Sequence, residues 1–127
     1  MPFQPLDKLW IWTEAQDLAQ VIYRLLKDTE CAYFTKNQID RSSQSVCDNI
    51  AEMFGAYYYE VKKQSLRVSR KECYETINHI EKFKRRELWP KDMADKLSER
   101  YGKLIIGINC YIGYLDKRKK SLPSQST

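Results

Sequence analysis

Residues 41–55 read RSSQSVCDNIAEMFG. The apolar positions Val46, Ile50 and Met53 recur at spacings of four and three, the period of one side of an α-helix. Serines and an asparagine stand where such a side normally carries leucine. Small side chains let two helix backbones approach closely, and serine hydroxyls can return hydrogen bonds to carbonyls one turn earlier. Asn49 carries a larger demand, because its amide needs donors and acceptors supplied by a neighbouring helix or subunit if it is buried. Gln38, Arg41, Ser42, Ser45, Asn49 and Glu52 are therefore candidates for a structural or oligomer-specifying face on a helix expected from Thr35 or Lys36 to Phe54. Gly55, the only glycine in the first hundred residues, is its expected left-handed stop.

Three further segments carry the same period. The first spans about Asp7 to Asp28, with Trp10, Leu18, Val21, Ile22 and Leu25 on one side. The third spans about Tyr59 to Arg86, with Val61, Leu66, Cys73, Ile77 and Ile80. The fourth spans Pro90 to about Leu115, with Met93, Leu97, Tyr101, Leu104, Ile108, Tyr111 and Leu115. Short connections between four helices predict an all-α, antiparallel up-down-up-down four-helix bundle over residues 6–115. A basic, then polar, tail is expected over residues 116–127. The chain of 127 residues is the size of one domain, and four glycines and four prolines suit long uninterrupted helices.

Charge is unevenly placed. Residues 60–86 hold nine basic and four acidic side chains, whereas residues 1–59 hold five and eight. On the third helix Lys63, Arg67, Arg70, Lys71 and Tyr74 fall within one sector, a pattern suited to phosphate contacts that give salt-dependent affinity with little sequence information. A solvated face is the competing explanation. Lys117, Arg118, Lys119 and Lys120 form a second basic cluster, which suits either a helix C-terminal dipole or a nucleic-acid-binding arm. Tyr57 and Tyr58 follow Gly55, and with Tyr59 they cannot all face inward, so they are candidates for a subunit interface.

Cys31, Cys47, Cys73 and Cys110 stand apart without a CxxC pair and read as free thiols. The opening MPFQPLDKLW has neither a basic start nor a long apolar run, and no stretch of about 18 apolar residues follows. The expectation is a cytoplasmic protein with no membrane partner. His79 could pair with Glu75 across one turn, but a single histidine does not make a metal site. No phosphate loop, HExxH or nucleophile elbow is present. The chain is accordingly expected to be non-enzymatic, with no cofactor and no metal.

The run Gln38, Arg41, Ser45, Val46, Asn49, Ile50, Ala51, Glu52 and Phe54 resembles the Q..R...S(I/V)..NIAE.F core of a bacterial family of four-helix-bundle proteins encoded in intervening sequences of 23S ribosomal RNA genes. Trp12, Ala15, Leu18 and Tyr23 fit its first-helix pattern, and Leu66, Val68, Ser69 and Glu75 its third. Met53 replaces the family's usual glycine, Cys47 a frequent proline, and Lys71-Glu72 a Gly-Ser pair. The resemblance implies a homo-oligomer, a ring-like pentamer in this family. A more distant likeness to the accessory proteins of diversity-generating retroelements implies RNA or DNA and a reverse transcriptase as partners. Two functions follow as expectations: a nucleic-acid-binding or adaptor bundle, or a structural and protein-interaction module without nucleic acid.

Overall fold

The computed structural model describes residues 3–121, with side chains through residue 118. A single turn of 3-10 helix at Leu6–Lys8 leads into four α-helices: α1 (Trp10–Lys27), α2 (Tyr33–Gly55), α3 (Tyr59–Arg85) and α4 (Lys91–Ser121). Each helix packs on the next in sequence, and α1 closes the ring against α4. The cross-contacts fix the directions. Lys62, Ser69 and Thr76 of α3 meet Phe54, Val46 and Ser42 of α2, so one helix rises as the other falls. Lys63, Arg70 and Lys84 of α3 likewise meet Asp116, Asn109 and Asp95 of α4. The bundle is all-α, and neighbouring helices run antiparallel.

Leu18, Ile22, Ile39, Ile50, Leu66, Ile80, Leu104 and Ile108 are wholly withdrawn from water and fill the centre. Burial of such side chains is the main stabilising term, about 1.5–3 kcal/mol for each. On α2, Ser42, Val46, Ile50 and Met53 are buried as read in the sequence, Ile39, Ser43 and Cys47 join them on the inward face, and Gln38, Ser45 and Asn49 are half-buried at its edge. On α3, Val61 is half-exposed rather than core. Trp10, expected inward, stands half-exposed against α4.

The helix ends also differ from expectation. Gly55 is the last helical residue and not left-handed; α2 stops because Ala56 turns extended, at φ −76° and ψ 149°. Lys62 Nζ donates to the carbonyls of Met53 and Phe54 at 3.0 and 3.4 Å, a second donor for Met53 O, which also accepts from Ala56 N–H, and a partner for Phe54 O in the last turn. The left-handed residue is Glu87, at φ 59°. Leu88 N–H donates to Phe83 O at 2.9 Å and Glu87 N–H to Lys84 O at 3.0 Å, the paired bonds of a Schellman turn. Trp89 then folds back into the core, 4.5 Å between its ring centroid and that of Phe83, and its indole N–H donates to Thr29 Oγ1 at 2.9 Å. That bond ties the α3–α4 turn to the end of α1. Helix α4 continues through Ser121, past the expected end at Leu115. Among the described residues, no helix is long and apolar enough to cross a membrane.

Candidate functional site

The serine-rich side of α2 is spent on α3. Ser42 is buried, donates to Ile39 O at 3.2 Å and accepts from Thr76 Oγ1 at 2.8 Å. Ser69 Oγ of α3 donates to Val46 O at 2.9 Å. Hydroxyls therefore line a seam in which each has a partner, which offsets the cost of taking them out of water. Asn49, expected to need a second helix or chain, is served within its own helix: Nδ2 donates to Ser45 O at 2.8 Å and to Ser45 Oγ at 3.1 Å. Gln38 is half-buried, and Arg41 and Glu52 are exposed on the flank. Tyr57 and Tyr58 form an exposed edge-to-face pair, 5.0 Å between centroids, in the α2–α3 turn.

The outer face of α3 starts from residues spaced four and three apart, Arg67, Lys71 and Tyr74, all exposed. Arg70 lies half-buried beside them, with Nη1 donating to Asn109 Oδ1 at 2.7 Å. Lys63 does not belong to this row. It is 8% exposed, and its Nζ sits 2.9 Å from Asp116 and 2.8 Å from Glu60. Hydrogen bonds to Asp116 and Glu60 raise its pKa. It is a clamp between α3 and α4, because the two carboxylates offer it a better setting than solvent.

Arg67, Arg70 and Lys71 form no salt bridge among the described residues. Arg67 has only a long contact to Gln64 Oε1 at 3.5 Å, and Arg70 bonds a neutral amide. At the other end of α3, by contrast, Lys84, Arg85 and Lys91 are held by Glu81 and Asp95. Lys117 and Arg118 are exposed on the last turns of α4, while the side chains of Lys119 and Lys120 lie outside the described residues.

Between these surfaces, His79 is buried, with Nε2 3.9 Å from Glu75 and no hydrogen-bond partner. Burial lowers its pKa, Lys82 and Arg41 push it the same way, and Glu75 opposes them. Burial and a hydrogen bond with Glu75 raise Glu72. Burial also pushes the Cys47 and Cys73 thiols up to about 12, so both stay protonated and inert at neutral pH. Among the described residues, no group of three His, Cys, Asp or Glu side chains is placed to hold a metal ion.

Sequence reasoning missed the Lys62 cap, the Trp89–Thr29 bond and a cavity bordered by Asp40. The first two pair residues that no local pattern links. The third is built from exposed tyrosines and lysines that read as ordinary surface.

A family model described as 23S rRNA-intervening sequence protein matches residues 7–109. No curated protein matches the chain. Among solved structures, a protein of unknown function from the S23 ribosomal protein family of Bacteroides thetaiotaomicron is similar, with a TM-score of 0.75 and 21% identity over 80% of this chain and 97% of that one. At that identity the likeness speaks for the fold.

Proposed function

Given that the chain belongs to the 23S rRNA-intervening sequence protein family, we propose that it is a non-enzymatic, self-associating cytoplasmic bundle that grips nucleic acid by its phosphates or brings a nucleic-acid enzyme to it. The observation that carries this is the row Arg67, Arg70 and Lys71, in which no guanidinium or ammonium forms a salt bridge with a carboxylate among the described residues, Lys71 feeling only the field of the neighbouring Glu72. Phosphate contacts of this kind supply affinity with little base preference. Tyr74, 60% exposed beside them, offers a ring for stacking on an unpaired base. Self-association would repeat the row on every subunit and multiply its field. Exposed Tyr57, Tyr58, Ile106 and Tyr114 supply apolar area for that contact.

The test is the salt dependence of binding to single-stranded and duplex RNA and DNA, for the native chain and for Arg67→Gln/Arg70→Gln/Lys71→Gln. Lys63 is left intact, because neutralising it would break the α3–α4 clamp. With each phosphate contact contributing about 0.7 to the log–log salt slope on a single strand, the triple variant should lose about 2. Unchanged binding by the variant would reject the row. Negligible binding at low salt would favour the protein-interaction module instead. Light scattering at micromolar concentration checks self-association, and a monomer would contradict it.

A further inference from the structure

Between Gln64 and Asn78, α3 shows solvent only a narrow strip. Gln64, Arg67, Lys71, Tyr74 and Asn78 are exposed, and their directions fall within about 80° of the helix circumference. The residues to either side, among them Val68, Arg70, Glu72 and Glu75, are half-buried where α2 and α4 close in. The two flanks differ in charge. Toward α2, Glu72 lies in the field of Arg41 and shares a hydrogen bond with Glu75, so that side repels an anion. Toward α4, Asn109 Oδ1 holds the Arg70 guanidinium at 2.7 Å without cancelling its charge. Among the described residues the side chain of Tyr74 makes no ring contact and no hydrogen bond, although it is 60% exposed at the end of the row.

We propose that this row takes a single strand of nucleic acid rather than a duplex: an unpaired base stacks on Tyr74, and the phosphates beside it lie on Arg67, Arg70 and Lys71 along the α4 flank. The inference rests on the reading of the row as a phosphate surface and adds to it the form of the ligand. A helix that reads a duplex enters a major groove about 12 Å wide and about 8.5 Å deep, and with its side chains it is itself about 10–12 Å across. It must stand clear of its neighbours to do so. A strip of about 80°, flush between α2 and α4, does not. A duplex therefore meets α3 only at its phosphate edge, with its bases stacked and paired out of reach of Tyr74. A single strand follows the strip and can turn a base face onto the ring. From Arg67 to Tyr74 the helix rises about 10 Å, the length of about three stacked nucleotides. An acidic protein surface would satisfy the three cations equally. The unpartnered ring at the end of the row favours a strand, since every base has a face that stacks.

Charge alone would favour the duplex, which carries one negative charge per about 1.7 Å of length against about 3.4 Å for one strand. The order of affinities therefore tests the ring. Fluorescence anisotropy at one low salt concentration compares the full-length native chain, Tyr74→Ala and Tyr74→Phe on short labelled strands of RNA and DNA. The same proteins are measured on the blunt duplexes that those strands form with their complements, and on an abasic strand of equal length. The native chain should bind the single strands about tenfold more tightly than the duplexes and the abasic strand. Tyr74→Ala, at an exposed helical position where alanine leaves the fold alone, should lose about tenfold on the single strands and stay within about twofold on the duplexes. The preference is then removed or reversed. Tyr74→Phe keeps the ring and should keep the preference. The Tyr74 ring resonances should shift with a single strand and not with the abasic one. Tighter binding of the RNA strand or of the DNA strand names the source and sustains the inference either way. Duplexes bound as tightly as single strands by the native chain, or an equal loss on both forms in Tyr74→Ala, overturn the single strand while leaving the phosphate row intact. No binding of any nucleic acid at low salt overturns the row itself and the strand with it.

Discussion

Gly107 of α4 lies against the indole of Trp10, so closely that a Cβ at residue 107 would stand 2.6 Å from Trp10 Cζ3 and 3.2 Å from Ile11 Cγ2. The ring covers the backbone where α1 crosses α4. Gly102 and Gly113, on the same helix, have nothing within 4 Å of their Cβ positions. Alanine at Gly102 should therefore stabilise the protein by up to about 1 kcal/mol through helix propensity alone. At Gly107 the same gain is opposed by displacement of Trp10, which costs about 1–3 kcal/mol for overpacking. Urea denaturation should place Gly107→Ala below Gly102→Ala in stability, with the Trp10→Ala background narrowing the difference to what the Ile11 contact leaves. Equal stabilisation by both glycine substitutions would show that the indole yields freely.

The polar seam predicts an inversion of ordinary core logic. Ser42→Ala removes one hydroxyl, but Thr76 Oγ1 keeps Glu72 O as an acceptor at 2.8 Å, so no buried donor is orphaned. The cost should be about 1 kcal/mol. Ser42→Leu adds hydrophobicity where Ser42 and Thr76 hold α2 and α3 in close contact, and should cost more, about 1–3 kcal/mol, because the helices must separate. Thermal unfolding of the two variants decides between them. A leucine variant as stable as wild type would mean that the seam has room to spare.

Glu87 occupies the left-handed position of the α3–α4 turn, where an L side chain costs about 1–2 kcal/mol and glycine does not. Part of that gain is lost to the greater freedom of glycine in the unfolded chain. Glu87→Gly should thus raise stability by about 0.5–1 kcal/mol, and Glu87→Val should lower it. Chemical denaturation reads both signs, and destabilisation by glycine would contradict the turn geometry.

Helix number and type were legible because the three-and-four spacing runs long and glycine is scarce. The inner face of α2 was legible at Ser42, Val46, Ile50 and Met53, but not that it widens toward Ile39, Ser43 and Cys47 rather than Gln38, Ser45 and Asn49, because small side chains on both flanks give the pattern little contrast. Gly55 was a reasonable left-handed stop by residue type, yet the conformation fell to Glu87, where the return of Trp89 to the core dictates the turn. On the candidate surface, Arg67, Lys71 and Tyr74 project as helical phase requires. Lys63 shares that phase approximately, but its partner Asp116 comes from the far end of α4, and only tertiary structure brings them together. The cavity at Asp40 had no sequence signal, since aromatic and basic residues at helix ends look like solvated surface.

His79 should make stability depend on pH in a direction that can be worked out. Its folded pKa is lowered, first by burial and then by Lys82 on its own helix, with Glu75 pulling the other way and Arg41 on α2 adding a smaller push downward. The unfolded chain, with an ordinary value of about 6.5, therefore binds the proton more readily than the folded one. The contribution of His79 is fully present above 6.5, falls as pH drops below it, and levels off under the folded pKa. Glu72 runs in the opposite sense. Burial and the hydrogen bond with Glu75 raise its folded pKa, so its contribution is present below its unfolded value and is lost as pH rises through the folded one. The two overlap in mildly acidic solution, and a single profile would blend them. His79→Gln isolates the first: urea midpoints measured from pH 8 to pH 5 should fall more steeply for the native chain than for the variant. Glu72→Gln isolates the second, with a gain in stability at pH 7 that shrinks toward pH 4.5. Parallel curves for the native chain and His79→Gln would mean that the buried imidazole accepts its proton without penalty, through Glu75 drawing closer than 3.9 Å.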